Sequence, residues 1–206
     1  MEPGMRKSWA VPKRLFDFAA ALAGLVVLSP LMLVLAVLVR ATSPGPALFI
    51  QERVGRHGRL FRCAKFRTMC AGAQAQGTVT TATDARVTAA GRFLRRWKLD
   101  ELPQLWNVLR GEMSLVGPRP EVGRWVEAYP ERWARILAVR PGITDPASIE
   151  FRNEEEILRR SADPERTYRE EILPRKLALY ERYVKEQSWW GDVAILWKTV
   201  CAVSKG

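Results

Sequence analysis

Residues 18–39 read FAAALAGLVVLSPLMLVLAVLV, 22 consecutive positions without a formal charge. A helix of that length crosses a hydrocarbon core of roughly 30 Å. A secretory leader has a shorter apolar core and a small-residue cleavage site, and this stretch has neither. Ser29-Pro30 stands at its middle, where proline removes a backbone hydrogen bond and bends the helix. Both flanks are basic: Arg6, Lys7, Lys13 and Arg14 precede the run, and Arg40, Arg53, Arg56, Arg59 and Arg62 follow it. Positive flanks prefer the cytoplasmic side of a membrane. Two readings stay open here. Hydropathy cannot detect a U-turn, and on composition alone it favours an ordinary spanning helix with a tolerated kink. The paired basic flanks instead suit a re-entrant helix–break–helix that enters one leaflet and returns. Ser29 would then help satisfy the carbonyl freed by Pro30.

Outward from this run, the 206 residues suit one compact domain, or one domain with an anchor. Apolar residues make up 48%, enough for a core and too many for disorder throughout. The chain carries 33 Lys+Arg against 22 Asp+Glu, a net charge of +11. Residues 40–98 hold twelve bases and two acids, so nearly the whole excess directly follows the apolar run. A cationic zone there meets anionic headgroups or phosphorylated ligands. No zinc-finger spacing, aromatic RNA-binding pattern or helix-turn-helix accompanies it, which argues against nucleic acid as the partner. Cys63, Cys70 and Cys201 are an odd number without paired spacing, so a reducing compartment is the simpler reading. Cys63 and Cys70 read as structural rather than reactive. His57 is the single histidine, in a Gly-Arg-His-Gly turn. That argues against a His-rich metal site and a Ser-His-Asp triad.

Residues 47–51 and 60–68 read as two strands around a turn at Gly55–Gly58. Residues 71–83 are small and polar, a loop. Thr88 is placed to cap a short helix over residues 89–97. Leu102, Leu105, Trp106 and Leu109 recur at helical spacing. Asp100 is the expected N-cap of that helix, Pro103 lies in its first turn and Gly111 is its stop. Residues 121–139 and 165–187 read as helices, the second interrupted at Pro174. Residues 188–203 carry Trp189, Trp190 and Trp197, which suits either an amphipathic helix on a membrane surface or a core-packed terminal helix.

The chemistry rests on Asp100-Glu101. Paired carboxylates beside Arg92, Arg95, Arg96 and Lys98, with Lys65 and Arg119 brought near by the fold, suit phosphoryl transfer. One carboxylate attacks phosphorus, the other holds Mg2+, and cations offset the equatorial oxygens. On the residues alone the bland alternative is ordinary helix-start grammar. Arg119 between Pro118 and Pro120 is likewise either a solvated loop arginine or a preorganised phosphate ligand. Lys65 is either a basic strand edge or a phosphate contact. Asp84 and Arg86 suggest an internal salt bridge.

Taken in order, several stretches go beyond generic grammar. They are Ser29-Pro30; Gly45-Pro46-Ala-Leu-Phe49; Lys65-Phe-Arg-Thr-Met69; Asp84-Ala-Arg86-Val-Thr88; Leu99-Asp-Glu-Leu-Pro-Gln104; Asn107-Val-Leu-Arg-Gly111; and Met113-Ser-Leu-Val-Gly-Pro-Arg-Pro120. With Pro141-Gly-Ile-Thr144, their order and spacing resemble the bacterial sugar transferase family, the monotopic polyprenyl-phosphate phosphoglycosyl transferases. The resemblance runs from Lys13 to about Thr199. It implies transfer of a phosphosugar from a UDP-sugar to polyprenyl phosphate, with release of UMP. It implies Asp100 as the nucleophile of a covalent phosphosugar intermediate and Glu101 as the Mg2+ ligand. Lys65, Arg95 and Arg119 match the family's phosphate-contacting positions. Ser29 and Pro30 match its membrane break, which reverses the preference for a spanning helix. The chain departs from the family at Asp145-Pro-Ala-Ser148, so no sugar or base contact is carried over there. Larger relatives place further membrane helices before this unit, so this chain is expected to be a minimal form.

The expected fold is α+β and mostly helical. It is a monotopic membrane protein with a re-entrant helix broken at Ser29-Pro30, a small β-hairpin and amphipathic interface helices. Residues 1–40 form the anchor and residues 41–206 a catalytic domain on the cytoplasmic face of the bacterial inner membrane. The expected partners are a UDP-sugar, polyprenyl phosphate and anionic lipid. The alternatives are a direct glycosyl transferase releasing UDP, which no dinucleotide-fold pattern supports, and a non-catalytic membrane-docked scaffold.

Overall fold

The computed structural model describes residues 7–70, 72–73, 79–81 and 83–204, with side chains from residue 11 onward. Of the loop expected over residues 71–83, residues 71, 74–78 and 82 lie outside the described part.

Helix α1 (Lys7–Thr42) runs for 36 residues with Pro12 and Pro30 inside it. It is long and apolar enough to cross a membrane. Pro30 lacks the N–H that would bond the carbonyl four residues back, that of Val26. Ser29 Oγ donates to that oxygen at 2.8 Å, so the serine does what the sequence suggested. One face of α1 packs inward. Ala21 is buried with Phe61, Leu105, Val108 and Met113. Further along, Leu35 and Val39 are buried with Phe66 and Leu94. The opposite face exposes Leu15, Phe18, Leu22, Val26, Leu33 and Val37, spaced three or four residues apart for the most part. Burying a leucine or valine contributes about 1.5–3 kcal/mol, and this outer face leaves that contribution unclaimed in water.

The hairpin pairs β1 (Leu48–Val54) with β2 (Leu60–Phe66) in antiparallel register, Leu48 opposite Phe66 and Val54 opposite Leu60. His57 (φ 58°) and Gly58 (φ 75°) turn the chain between them. Helix α2 (Ala89–Arg96) starts where Thr88 Oγ1 accepts from the Gly91 N–H at 2.9 Å, the expected cap.

Two corrections follow. Asp100 caps no α-helix. Lys98 adopts a left-handed conformation (φ 54°), a single 3-10 turn covers Leu99–Glu101, and α3 (Gln104–Arg110) begins after Pro103. Proline donates no N–H and fixes its own φ, so it takes the helix start itself. Gly111 stops α3 in the left-handed region (φ 81°), as read. The single helix expected over residues 121–139 is two, α4 (Gly123–Glu127) and α5 (Pro130–Ile136). Pro130 breaks the run by pushing Tyr129 out of helical geometry.

A second sheet was not foreseen. β3 (Ser114–Val116) pairs in parallel with β4 (Gly142–Thr144). The backbones approach so closely that a Cβ at Gly142 would lie 2.1 Å from the Gly117 nitrogen. The remainder is helical: α6 (Pro146–Glu150), α7 (Glu154–Arg159), α8 (Pro164–Thr167), α9 (Leu173–Glu186) and α10 (Trp189–Ser204). A π-helical turn at Tyr168–Ile172 leads into α9, so Pro174 lies in the first turn of α9, where it needs no donor. The main core gathers Trp125, Trp133, Ile136, Leu158, Leu173, Leu177 and Tyr180 from α4, α5, α7 and α9. The architecture is therefore mostly helical with a small antiparallel hairpin, as expected.

Both ends of α1 are clamped to this body by arginines. Arg14 donates to the carbonyls of Val108 (2.6 Å) and Leu109 (2.8 Å) in the last turn of α3, where free carbonyls carry partial negative charge. Beyond the other end, Arg67 donates to the Ser43 carbonyl at 2.8 Å and to that of Pro44. Asp17, 2% exposed, accepts from Ser114 Oγ at 2.8 Å and Leu115 N at 3.2 Å.

Candidate active site

The end of β2, the start of α2, the Leu99–Glu101 turn and the loop after β3 converge on a cleft of about 1500 Å³. Lys65, Arg92, Arg95, Arg96, Lys98 and Arg119 line it, with Asp100 and Glu101 at its wall. The left-handed Lys98 turns the chain so that both acids point inward; Asp100 is 7% exposed and Glu101 6%.

The two carboxylates have opposite surroundings. Glu101 Oε2 accepts from Arg119 Nη1 at 3.1 Å, and Oε1 accepts from Arg119 Nη2 and from Lys65 Nζ at 3.3 Å. Burial opposes its ionisation most strongly, but Arg119 and Lys65 together outweigh burial and hold Glu101 well below the usual carboxylate range. The same pairing raises Arg119 well above its ordinary value. Lys65 is lowered by burial, with Glu101 opposing the shift. Asp100 Oδ1 is buried without a hydrogen-bond partner among the described residues. Burial raises its pKa, and the charge on Glu101 raises it further.

Lys65 and Arg119 thus reach the dyad, as the sequence suggested. Arg95 lines the same cleft but does not touch Glu101. Its Nε donates to Thr68 Oγ1 at 2.9 Å and its Nη1 to Glu155 Oε1 at 2.8 Å. Thr68 and Glu155 are the site residues that sequence reading missed. Thr68 adjoins the Lys65-Phe-Arg-Thr motif and was findable there. Glu155 lies 60 residues from Arg95, and no local signal marks it. Gly91 also has a role: a Cβ there would stand 2.0 Å from the Thr68 carbonyl oxygen, so only glycine lets α2 sit this close to the segment after β2. The expected Asp84–Arg86 pair is present at 2.6 Å, and Arg86 further donates to the Ala73 and Val79 carbonyls. Cys63 is buried in the core under the hairpin, with its thiol pushed up by burial, whereas Cys70 is exposed. Ser29 and Pro30 lie on α1 and do not line this cleft.

Among the described residues no three His, Cys, Asp or Glu side chains cluster as a metal cage. Mg2+ asks for less, usually one or two carboxylates completed by water and substrate phosphates. A buried carboxylate oxygen without a donor, beside a second carboxylate, is an oxygen pair such an ion fits. Glu101 keeps lone pairs beyond those that Arg119 and Lys65 occupy.

A cation-lined cleft holding two adjacent carboxylates, on a small α+β body with one long apolar helix, defines the class as a domain with a site suited to anionic ligands. The particular family follows from comparison: residues 8–206 match the bacterial sugar transferase family, and the chain belongs to it. It is 38% identical over 202 residues to a UDP-N-acetylgalactosamine-undecaprenyl-phosphate N-acetylgalactosaminephosphotransferase of Aeromonas hydrophila, covering 96% of this chain and 45% of that one. It is also 38% identical over 207 residues to an undecaprenyl-phosphate galactose phosphotransferase of Salmonella typhimurium, 93% of this chain and 40% of that one. The exopolysaccharide production protein ExoY of Rhizobium meliloti is 34% identical over 215 residues, 97% of this chain and 88% of that one. The chain spans less than half the length of the first two relatives.

Proposed function

We propose that this chain is a phosphoglycosyl transferase that moves a phosphosugar from a UDP-sugar to a polyprenyl phosphate. The observation that carries the proposal is the buried, unpartnered Asp100 Oδ1 at a cation-lined cleft, beside a Glu101 kept ionised by Arg119 and Lys65. Surroundings that push two adjacent carboxyl groups apart in acidity assign them different tasks. A desolvated carboxylate of raised basicity is the better nucleophile, and the fixed ion cluster beside it is the better electrostatic support.

Asp100 attacks the sugar-bearing phosphorus of the donor. The bond from that phosphorus to the bridging oxygen breaks, and UMP leaves with the electron pair. A phosphate oxygen of the polyprenyl phosphate then attacks the same phosphorus and Asp100 departs, giving polyprenyl-diphospho-sugar. Lys65, Arg119 and Arg95 offset the charge on the phosphoryl oxygens. Glu101 would hold Mg2+, which when bound supplies further neutralisation of the diphosphate.

We place the enzyme on the cytoplasmic face of the bacterial inner membrane, with residues 1–40 as a re-entrant anchor and residues 41–206 as the catalytic domain. Helix α1 is continuous through Ser29-Pro30; what supports both ends lying on one side is that Arg14 and Arg67 tie them to a single body.

Intact mass spectrometry after incubation with UDP-GalNAc, UDP-galactose or UDP-glucose, Mg2+ and no acceptor tests the reading. A phosphosugar adduct lost in Asp100→Asn is expected, with UMP released. With polyprenyl phosphate then added, UDP release in place of UMP would identify a direct glycosyl transferase, and neither nucleotide would identify a scaffold.

A further inference from the structure

The cleft does not end at its cations. The same cleft is also lined by apolar residues, Leu102, Leu105, Leu115 and Ile143, and by α10. From α10 it takes Val193, Leu196, Trp197, Val200 and Val203. These recur at intervals of three, one, three and three residues, one face of a helix. Trp197 is 69% exposed and Val200 62%, so this face is not closed by the rest of the chain. Its length, ten residues at about 1.5 Å each, is about 15 Å.

Three contacts fix α10 in place, one of them at Thr199 beside the apolar residues of the same cleft. Asp192 pairs with Lys13 of α1 and accepts from Tyr183 Oη at 2.9 Å. Trp189 packs edge-on against Phe16 of α1, ring centroids 4.8 Å apart. Thr199 Oγ1 bonds Thr144 Oγ1 of β4 at 2.7 Å. The apolar wall of the cleft is thereby braced directly on the helix whose outer face is itself apolar and exposed.

A water-soluble nucleotide sugar is matched by the cationic end alone. A ligand that uses both ends carries an anionic head and a hydrocarbon tail. We infer that the face Val193–Leu196–Trp197–Val200 of α10 is the binding wall for the first isoprene units of the polyprenyl phosphate acceptor, seating its phosphate at the Asp100 end of the cleft and leading its tail along α10 toward α1. This rests on the transferase reading and adds to it where the tail lies.

The test uses the full chain in detergent, with the UDP-sugar that labels the wild type, and compares undecaprenyl phosphate with geranyl phosphate as acceptors. Trp197→Ala and Val200→Ser alter exposed side chains and leave the braces of α10 intact. Each is expected to reduce the preference for undecaprenyl over geranyl phosphate, read as the ratio of kcat/KM, by about tenfold. Sedimentation with phosphatidylglycerol–phosphatidylcholine vesicles is measured in parallel. An unchanged ratio overturns the assignment. An unchanged ratio with weakened sedimentation gives this face to the membrane surface instead. Failure of the wild type to form any phosphosugar adduct would remove the transferase reading itself, a result separate from either outcome on the ratio.

Discussion

Arg119 sets both of its terminal nitrogens on the carboxylate of Glu101, Nη1 to Oε2 at 3.1 Å. Pro118 and Pro120 flank the arginine, so little backbone freedom is lost in holding that geometry. The pair keeps one carboxylate ionised and leaves its neighbour, Asp100, buried with no cation in direct contact among the described residues. Several outcomes follow from that division.

Asp100→Asn should abolish turnover and raise stability by about 1–3 kcal/mol at neutral pH, because it removes a buried charge that desolvation and the neighbouring Glu101 disfavour. The sign of the pH dependence is fixed. The folded pKa is raised above the ordinary 3.8, so between those values the folded state binds more protons than the unfolded one and stability falls as pH rises. The stability gap between variant and wild type should therefore widen with pH through that window and level off above it. Urea unfolding of both proteins in detergent, from below the ordinary 3.8 up to neutral pH, measures it.

Glu101→Ala has the opposite effect on stability. It leaves Arg119 and Lys65 buried without their shared counter-charge, a loss of about 3–5 kcal/mol. In the wild type, the contribution of Glu101 is complete above its unfolded value of 4.5 and is lost as pH falls toward its depressed folded value. The destabilisation in the variant should shrink as pH falls below 4.5, which urea unfolding carried into that acidic range detects.

Thr68 and Glu155 hold Arg95 from two sides, and their loss should move donor affinity in opposite directions. Glu155→Gln frees the guanidinium for phosphate and should lower KM for the UDP-sugar by up to about fivefold, the range of a half-exposed ion pair. Thr68→Val removes the neutral support and should raise KM. Equal KM values in both variants would take Arg95 out of donor binding.

Gly91→Ala forces a methyl group against the Thr68 carbonyl. Separating α2 from the segment after β2 should cost about 1–3 kcal/mol and weaken donor binding with it, because Thr68 and Arg95 sit on the two parts pushed apart. Thermal unfolding and KM of the single variant give both readings.

Tags at Met1 and at Gly206 should be labelled from the same side of a sealed membrane vesicle. Labelling from opposite sides would mean that α1 spans.

Local chemistry explains what could be read in advance. Ser29 rescuing the Val26 carbonyl, Thr88 capping α2, Gly111 ending α3 and Asp84 binding Arg86 each involve residues within four positions of one another. The sequence alone also determined the apolar helix, the cationic zone after it and the adjacent acids Asp100 and Glu101, because periodicity and charge order are properties of the chain. Asp100 as an N-cap was the misreading, since Pro103 competes for the helix start and wins through its fixed φ. Only the tertiary structure decided that Arg119 and Lys65 fall to Glu101 while Asp100 is left unpaired, and that Arg95 turns to Glu155. Only it joined β3 to β4 and α10 to α1 through Lys13 and Asp192, 179 residues apart. Burial and long-range pairing depend on which surfaces meet in space, and no spacing along a chain specifies that.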